Sequence, residues 1–344
     1  MITHARIAAS TVSYALSLLD KSPIPEGATA AEALQRTVAL AQRAEQLGYR
    51  RFWVAEHHGN PGLAGSAPEV LVAHLLARTS RIRIGSGGVM LQHYSPFKVA
   101  EAFKVLASLA PGRVDLGVGK APGGLPLSTR ALQALHDKSR PSDFSARFAE
   151  LDAFLHGTLD PDHALAGAVA YPAPPSLPER HLLGGSPDSA ALAARHGWHF
   201  TYAGHFNGDP VNIERTVRVY REAAGRAPSL ALYALVAPTQ AQADSLVGAL
   251  RVFKLHLSTG QSVNLPSAQA AAEFARQAGV ADYRLEETRP HVIAGSPDTV
   301  REQLDALSER YGIEEFVVDT PVTGFADRLA SVELLAGAYA TAEA

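Results

Sequence analysis

Apolar runs and amphipathic stretches alternate along this chain almost from its start. Short runs dense in Val, Ile, Leu, Phe and Trp have the pattern of strands buried on both faces. Between them, apolar residues recur at three- and four-residue spacing, the pattern of helices lying on a core. Tyr14 to Leu19 reads as a first strand, stopped by Asp20-Lys21-Ser22-Pro23. From Thr29 to Leu47, Ala33, Leu34, Val38, Ala41 and Ala44 keep helical spacing, and Gly48 supplies a C-terminal cap. Phe52 to Val54 is a second strand, and Ala67-Pro68 opens a helix that closes near Thr79. Ile82 to Ile84 is a third strand running into Gly85-Ser86-Gly87-Gly88. Ser95, a candidate N-cap, and Pro96 then start a helix to Leu109.

The rhythm continues. Val114 to Val118 is strand four, followed by a long polar loop from Gly119 to Ser142 and a helix from Phe144 to His156. His181 to Leu183 is a short strand five, with a helix from Pro187 to His196. Phe200 to Ala203 is strand six, with a helix from Val211 to Ala224. Leu230 to Val236 is strand seven, and Thr239 opens a helix expected to reach about Leu257. The stretch from Ser258 to Ala294 breaks the pattern and holds one helix, Ser267 to Ala278. A helix from Pro297 to Tyr311, an eighth strand from Glu315 to Asp319 and a closing helix from Phe325 to Ala340 complete the chain. Eight strand–helix units predict a parallel sheet covered by helices, and their number favours a closed (β/α)8 TIM barrel over an open doubly wound sheet. We therefore expect one domain over residues 1–344. Residues 1–13 form a tail, and residues 258–294 form an insertion between strands seven and eight that rims the barrel mouth as a lid.

Composition narrows the function classes. With 344 residues, 47% of them hydrophobic, the chain can bury a large core. A net charge of -3 without charge blocks argues against nucleic-acid binding. The absence of cysteine removes thiolate metal sites, cysteine nucleophiles and disulfides. No run of about eighteen apolar residues exists to span a membrane, and Ser and Thr interrupt the apolar stretch from Ile7 to Leu19 that a signal peptide would need. We expect a cytoplasmic protein.

Three features carry candidate chemistry. Strand two ends in Glu56-His57-His58, and titratable groups there need work or partners. Adjacent strand-end positions point oppositely, so one imidazole faces inward. Taken alone, the pair reads slightly better as capping histidines than as a catalytic base. No ligand spacing supports a metal. The glycines after strand three do not enter a helix directly, which excludes a dinucleotide fingerprint. They mark either a close backbone approach by a flat ligand or a bend at the rim. Gly185-Ser186-Pro187-Asp188 and Gly295-Ser296-Pro297-Asp298 repeat one tetrapeptide at helix starts. Each is either a phosphate site or a simple N-cap, and Lys120 could add a cation beside the first.

Together these segments resemble the bacterial luciferase-like flavin monooxygenases. The resemblance rests on Ala55-Glu56-His57-His58, Ala67 to Leu71, Arg81 to Leu91, Ser95 to Glu101, Pro111 to Gly117, Gly184 to Ala190 and Gly295-Ser296-Pro297, in order over nearly the whole chain. It implies a (β/α)8 barrel that uses reduced FMN and O2 on a small organic substrate, an aldehyde among the candidates. Within it, His57 is the catalytic imidazole that sits by the flavin and supports its reaction with oxygen. Glu56, the second catalytic candidate, either orients an imidazole or points away from the mouth. Gly87 and Gly88 form a cis peptide under the flavin ring, and Lys120, Gly185, Ser186 and Ser189 hold the phosphate. The resemblance also implies a mobile lid and a homodimer through the helices at Ala67 to Thr79 and Pro96 to Leu109. A separate NAD(P)H:flavin reductase is implied by the missing nicotinamide fingerprint. Two departures weaken the phosphate contacts. Lys120 stands where relatives carry Arg and lacks its bidentate fork, and Gly185 replaces an acid of the luciferase α subunit. An F420-dependent dehydrogenase and a non-catalytic flavin-binding protein are the alternatives. The lid and the loop from Ala121 to Arg140 would set specificity.

Overall fold

The structure, a computed structural model, describes residues 14–136, 143–205 and 208–340. The expected tail over residues 1–13, and residues 137–140 of the specificity loop, lie outside these. Eight parallel strands close into a barrel. They are β1 (Ala15–Asp20), β2 (Arg51–Val54), β3 (Arg83–Met90), β4 (Val114–Gly119), β5 (Glu179–Gly184), β6 (His199–Ala203), β7 (Ser229–Val236) and β12 (Glu315–Asp319). They pair in chain order, β6 joins β7, and β12 lies between β7 and β1.

The helices cover the outside: α1 (Ala30–Gln46), α2 (Pro68–Arg78), α3 (Pro96–Leu109), α5 (Phe144–His156), α6 (Pro187–Arg195), α7 (Pro210–Ala224), α8 (Gln240–Gly248), α10 (Pro297–Tyr311) and α11 (Phe325–Ala340). Local signals set their ends. Thr29 and Glu32 form a reciprocal capping box at α1. Proline opens α2, α3, α6, α7 and α10, where its missing N–H costs nothing. Ser95 holds the N-cap position of α3, but its hydroxyl makes no bond to the helix.

Two elements differ from the sequence reading. The helix expected to reach Leu257 stops at Gly248, and β8 (Val252–Leu257) follows. This strand is the centre of a three-stranded antiparallel sheet with β9 (Ser262–Leu265) and β10 (Tyr283–Thr288). Val252 and Leu255 are three apart, a helical spacing, whereas the face the strand turns to its core carries Leu255 and Leu257 at spacing two. With α9 (Ala268–Ala278) these strands enclose a small core of Leu255, Leu257, Ala271, Phe274 and Ala275. The insertion thus departs at Val252, and β11 (Val292–Gly295) returns the chain as a parallel partner of β7. The second difference lies in the polar loop after β4, which contains α4 (Pro126–Leu132), a seven-residue helix with no buried residue. The Leu127 N–H donates to Gln277 Oε1 at 2.9 Å, and Leu125 packs on the insertion core. Loop and insertion thus form one roof beside the mouth.

The barrel interior is layered, as a parallel barrel must be when alternate residues point inward. At the amino-terminal end lies a charged layer: Arg51 bonds Glu315 at 2.6 Å, Asp115 at 2.8 Å and Glu179 at 2.9 Å. Above it stands an apolar layer of Leu19, Trp53, Ala55, Ala231 and Val317. The layer after that faces the mouth.

Candidate active site

Period-two alternation decides the fate of the strand-two residues. Phe52 and Val54 face the helices, while Trp53 and Ala55 face the barrel interior. Continuing the alternation, His57 turns toward the mouth. Its backbone N–H donates to the Gly65 carbonyl at 2.8 Å. Its Nδ1 is buried and has no hydrogen-bond partner among the described residues. Burial first, and the Lys21 ammonium second, push its pKa down to about 4, so the imidazole is neutral near pH 7.

Glu56 turns the other way and is fully buried. Its Oε2 accepts the Met90 N–H at 3.0 Å, and its Oε1 accepts the Tyr94 hydroxyl at 2.7 Å. Oε1 also lies 2.6 Å from His58 Nε2, so the imidazole Glu56 orients is that of His58 and not that of His57. The His58 backbone N–H donates to the Gly123 carbonyl at 2.8 Å. The pair Glu56–His58 therefore ties β2 to the start of the β4–α4 loop, and His57 is left as the strand-two group at the mouth.

The next three strand ends carry the other sequence-derived residues. The Gly87–Gly88 peptide is cis. A Cβ on Gly88 would stand 2.7 Å from the Gly117 carbonyl, so that position admits no side chain, and one on Gly87 would stand 2.6 Å from Leu19 Cδ1 and would have to displace it. At Gly119, the last residue of β4, no atom lies within 4 Å of where a Cβ would stand. Lys120 follows and is exposed. Gly119 pairs with Leu183, which puts Lys120 beside the Gly184–Gly185 end of β5. There Ser186 caps α6: its Oγ accepts the Ser189 N–H at 3.3 Å and lies 3.1 Å from the Ser189 hydroxyl. Asn212, which sequence reasoning missed, donates to the Gly185 carbonyl at 2.8 Å and fixes that peptide.

The second tetrapeptide copy is built differently. Ser296 caps α10 onto Thr299 in the same way, but Gln240 bonds the Ala294 carbonyl and reaches the position a Gly295 Cβ would take. Gln240 is itself bonded to the Asp244 carboxylate, so this helix start is covered and faces a negative charge.

Closure of the barrel adds residues that sequence reasoning did not select. Lys21, two residues beyond Leu19 on β1, pairs with Asp319 of β12 at 2.5 Å and donates to the Tyr233 hydroxyl of β7 at 3.0 Å. His205, after β6, lies against Tyr233, with ring centroids 5.6 Å apart and the planes tilted by 58°. Burial first, and Lys21 second, push the His205 pKa down to about 3. At the opposite end of the barrel, ligand atoms of Asp115, Glu179 and His181 lie within 4.8 Å of one another, a set that could hold a metal. The Arg51 guanidinium already bonds all three, so that cluster is filled by its own cation.

The sequence profile described as "Luciferase-like monooxygenase" matches residues 15–315. The chain belongs to that family. Its relatives include the N-acetyl-S-alkylcysteine monooxygenase of Bacillus subtilis (strain 168), 42% identical over 95% of this chain and 99% of that protein. Among solved structures, apo-MsnO8 is 35% identical and superposes with a TM-score of 0.75, covering 96% of this chain and 98% of that one. The oxygenating constituent of 3,6-diketocamphane monooxygenase from Pseudomonas putida, in complex with FMN, shares the fold at 18% identity with a TM-score of 0.69, covering 94% and 97%. As a luciferase-like monooxygenase, the protein is an oxidoreductase that incorporates molecular oxygen. No helix among the described residues is long and apolar enough to cross a membrane.

Proposed function

We propose that this protein is an FMN-dependent monooxygenase whose flavin lies across the ends of β2, β3, β4 and β5. One observation carries the reading. Four consecutive strand ends offer, in order, a buried imidazole nitrogen without a partner, a side-chain-free glycine pair, open space at Gly119 beside a lysine, and a helix start flanked by two hydroxyls. A flat ring with a phosphate tail needs these features in this order, and the α6 N-terminus favours an anion. Reduced FMN, when bound, supplies the two electrons that let one atom of dioxygen enter the substrate. The chain's part is to hold and shield. Gly87 and Gly88 give a ring a surface free of side chains, and Ser186, Ser189, the Gly185 backbone and Lys120 hold the phosphate. His57, neutral at working pH, takes or returns a proton at Nδ1. The roof of α4 and the insertion keeps water out.

For the substrate we infer a small thioether of the N-acyl cysteine type, by extension from the 42% identical relative named for N-acetyl-S-alkylcysteine. An aldehyde is the second class to test. We infer further that a separate cytoplasmic reductase supplies reduced flavin. We also infer that two copies pair through α2 and α3, where Val70 and Leu109 are 66% and 74% exposed.

The test is titration of the protein with FMN and with F420, followed by oxygen uptake with reduced FMN and N-acetyl-S-methylcysteine. Tight binding of FMN and substrate-dependent uptake are expected, with His57→Gln slower by about 100-fold or more. Binding of F420 in place of FMN would replace the cofactor assignment. Full turnover in His57→Gln would remove that residue from the chemistry.

A further inference from the structure

The two halves of the mouth are furnished differently. The ends of β2 to β5 offer an imidazole, glycines and a helix start. The ends of β1, β7 and β12 carry Lys21, Tyr233 and Asp319, which hold no part of the flavin in that arrangement. Strand pairing brings these three together: Leu19 lies opposite Asp319, and Asp319 lies opposite Tyr233. Lys21 is the next inward residue above Leu19 on β1. Leu19 itself lies under the glycine pair, since a Cβ on Gly87 would stand 2.6 Å from its Cδ1. The lysine therefore rises at the edge of the surface free of side chains.

Both Lys21 and Tyr233 open upward. The apolar layer of Leu19, Trp53, Ala231 and Val317 closes the space below them. Tyr233 is half-buried while every other residue of β7 is buried, and 20% of the Lys21 side chain is exposed. His205 lies against the phenol ring on one side, and Val292 of β11 pairs with Tyr233 on the other.

Counting protons shows what the pair has left to give. An ammonium has three. Lys21 directs one to Asp319 at 2.5 Å and one to Tyr233 Oη at 3.0 Å, and the third has no acceptor among the described residues. Tyr233 Oη receives a proton from Lys21, so its own O–H must point elsewhere, and it too has no acceptor among the described residues. Two donors 3.0 Å apart can meet on one oxygen about 2.9 Å from each. Charge decides which oxygen. Burial acts to lower the Lys21 pKa, but Asp319 and Tyr233 outweigh it, so the ammonium stays charged. Asp319 already balances that charge. A second carboxylate would share one cation with Asp319 and be repelled by it, whereas a neutral carbonyl gains both bonds without that cost. A thioether sulfur is too weak an acceptor to use two such donors.

We propose that Lys21 Nζ and Tyr233 Oη form a two-donor fork that takes a neutral carbonyl oxygen of the organic substrate at the edge of the flavin bed. The proposal rests on the reading of this mouth as a monooxygenase site and names how that site holds its substrate. In an N-acyl cysteine thioether the oxygen is that of the acyl group, and in an aldehyde it is that of the aldehyde. Asp319 is a positioning residue, since it holds the ammonium in place from below.

The experiment is isothermal titration of N-acetyl-S-methylcysteine, its methyl ester and S-methylcysteine into the protein, with and without oxidised FMN. Wild type is compared with Tyr233→Phe and with the double variant Lys21→Met/Asp319→Asn, which removes both charges so that no lone ion is left buried. The acetylated acid and its ester are expected to lose about fivefold in affinity in Tyr233→Phe and about tenfold or more in the double variant. S-methylcysteine, which lacks the acyl carbonyl, should bind weakly and change by less than about twofold. A loss confined to the acid would seat the carboxylate on the fork and overturn the proposal, as would equal affinities in all three proteins. The FMN Kd should stay within about threefold, and a rise of about tenfold in Tyr233→Phe would assign the fork to the flavin and overturn it as well. Octanal is the second probe. If the thioether does not bind wild type but octanal does, and octanal loses about fivefold in Tyr233→Phe, the fork stands and the thioether reading falls. If neither binds, the fork falls, while the FMN reading is decided by its own titration. Should the double variant not fold, the three-compound comparison in Tyr233→Phe still decides.

Discussion

Replacing Arg51 with methionine tests whether the charged floor of the barrel is held by one guanidinium. Arg51 is 1% exposed and reaches three carboxylates: Glu315 at 2.6 Å, Asp115 at 2.8 Å and Glu179 at 2.9 Å. Methionine fills most of the same volume, so the lost quantity is charge. After the change Asp115 keeps Arg83 at 2.5 Å and the Trp53 N–H at 2.9 Å, and Glu179 keeps Arg83 at 3.3 Å. Among the described residues, Glu315 keeps only the Ser17 hydroxyl and Arg50, which is half exposed and 3.8 Å away. One carboxylate is thus close to uncompensated, and breaking a buried pair in this way costs about 3–5 kcal/mol. The pH dependence has a definite sign. In the wild type, burial acts to raise the Glu179 pKa, but His181 and Arg51 outweigh it and hold it well below the usual carboxylate range. That contribution is complete above the unfolded value of about 4.3 and is lost as pH falls further. In Arg51→Met the part of that lowering which Arg51 supplies is gone. The stability gap between the two proteins should therefore be full above about pH 4.3 and shrink as pH falls below it. Equilibrium urea unfolding at three pH values measures it. A gap under about 1 kcal/mol at pH 7, or one that does not change with pH, would refute the reasoning. FMN affinity should stay within about threefold, because the apolar layer separates this floor from the mouth.

Three further outcomes separate roles that sit close together in the sequence. Glu56→Gln weakens the bond to His58 and should cost about 1.5–3 kcal/mol of stability with turnover within about fivefold, in contrast to His57→Gln. Unfolding curves and oxygen uptake on the same preparations check this. Ser186→Ala and Ser296→Ala each remove an N-cap worth about 1 kcal/mol, but only the first should raise the FMN Kd, by about tenfold, because Gln240 covers the second helix start. Isothermal titration of both variants compares them directly. Gln277→Ala removes the side-chain acceptor for the Leu127 N–H, so amide exchange in α4 should quicken while that in the barrel strands does not.

The barrel was legible because parallel strands buried on both faces read as short apolar runs, as in Phe52 to Val54 and Phe316 to Val318. The insertion was not, for the same physical reason in reverse. In β10 no residue is buried and Tyr283 to Leu285 are all exposed, and β8 carries Lys254 and His256 among its apolar residues. Such strands have only one face on a core, and that core is built from α9 and Leu125, which are distant in sequence or hidden in a loop. A short exposed helix such as α4 leaves still less trace, since seven residues make barely two turns and none of them is buried.

At the site, what could be read followed from alternation, and what was missed followed from closure. Counting by twos from Trp53 gives Ala55 and then His57, and sends Glu56 and His58 to the other face, so one strand suffices to tell the two histidines apart. Counting by twos from Leu19 gives Lys21 in the same way, and counting from Val317 gives Asp319. Yet each alone is an ordinary charged residue at a strand end, where solvent is the default partner. Only when β12 closes against β1 and β7 do a lysine near the start of the chain, an aspartate near its end and Tyr233 become one buried group. Alternation predicts which side chains enter the barrel, and the pairing of the first strand with the last predicts which of them meet. Applied together to any closed parallel barrel, the two rules find inward charges at strand ends that no local motif marks.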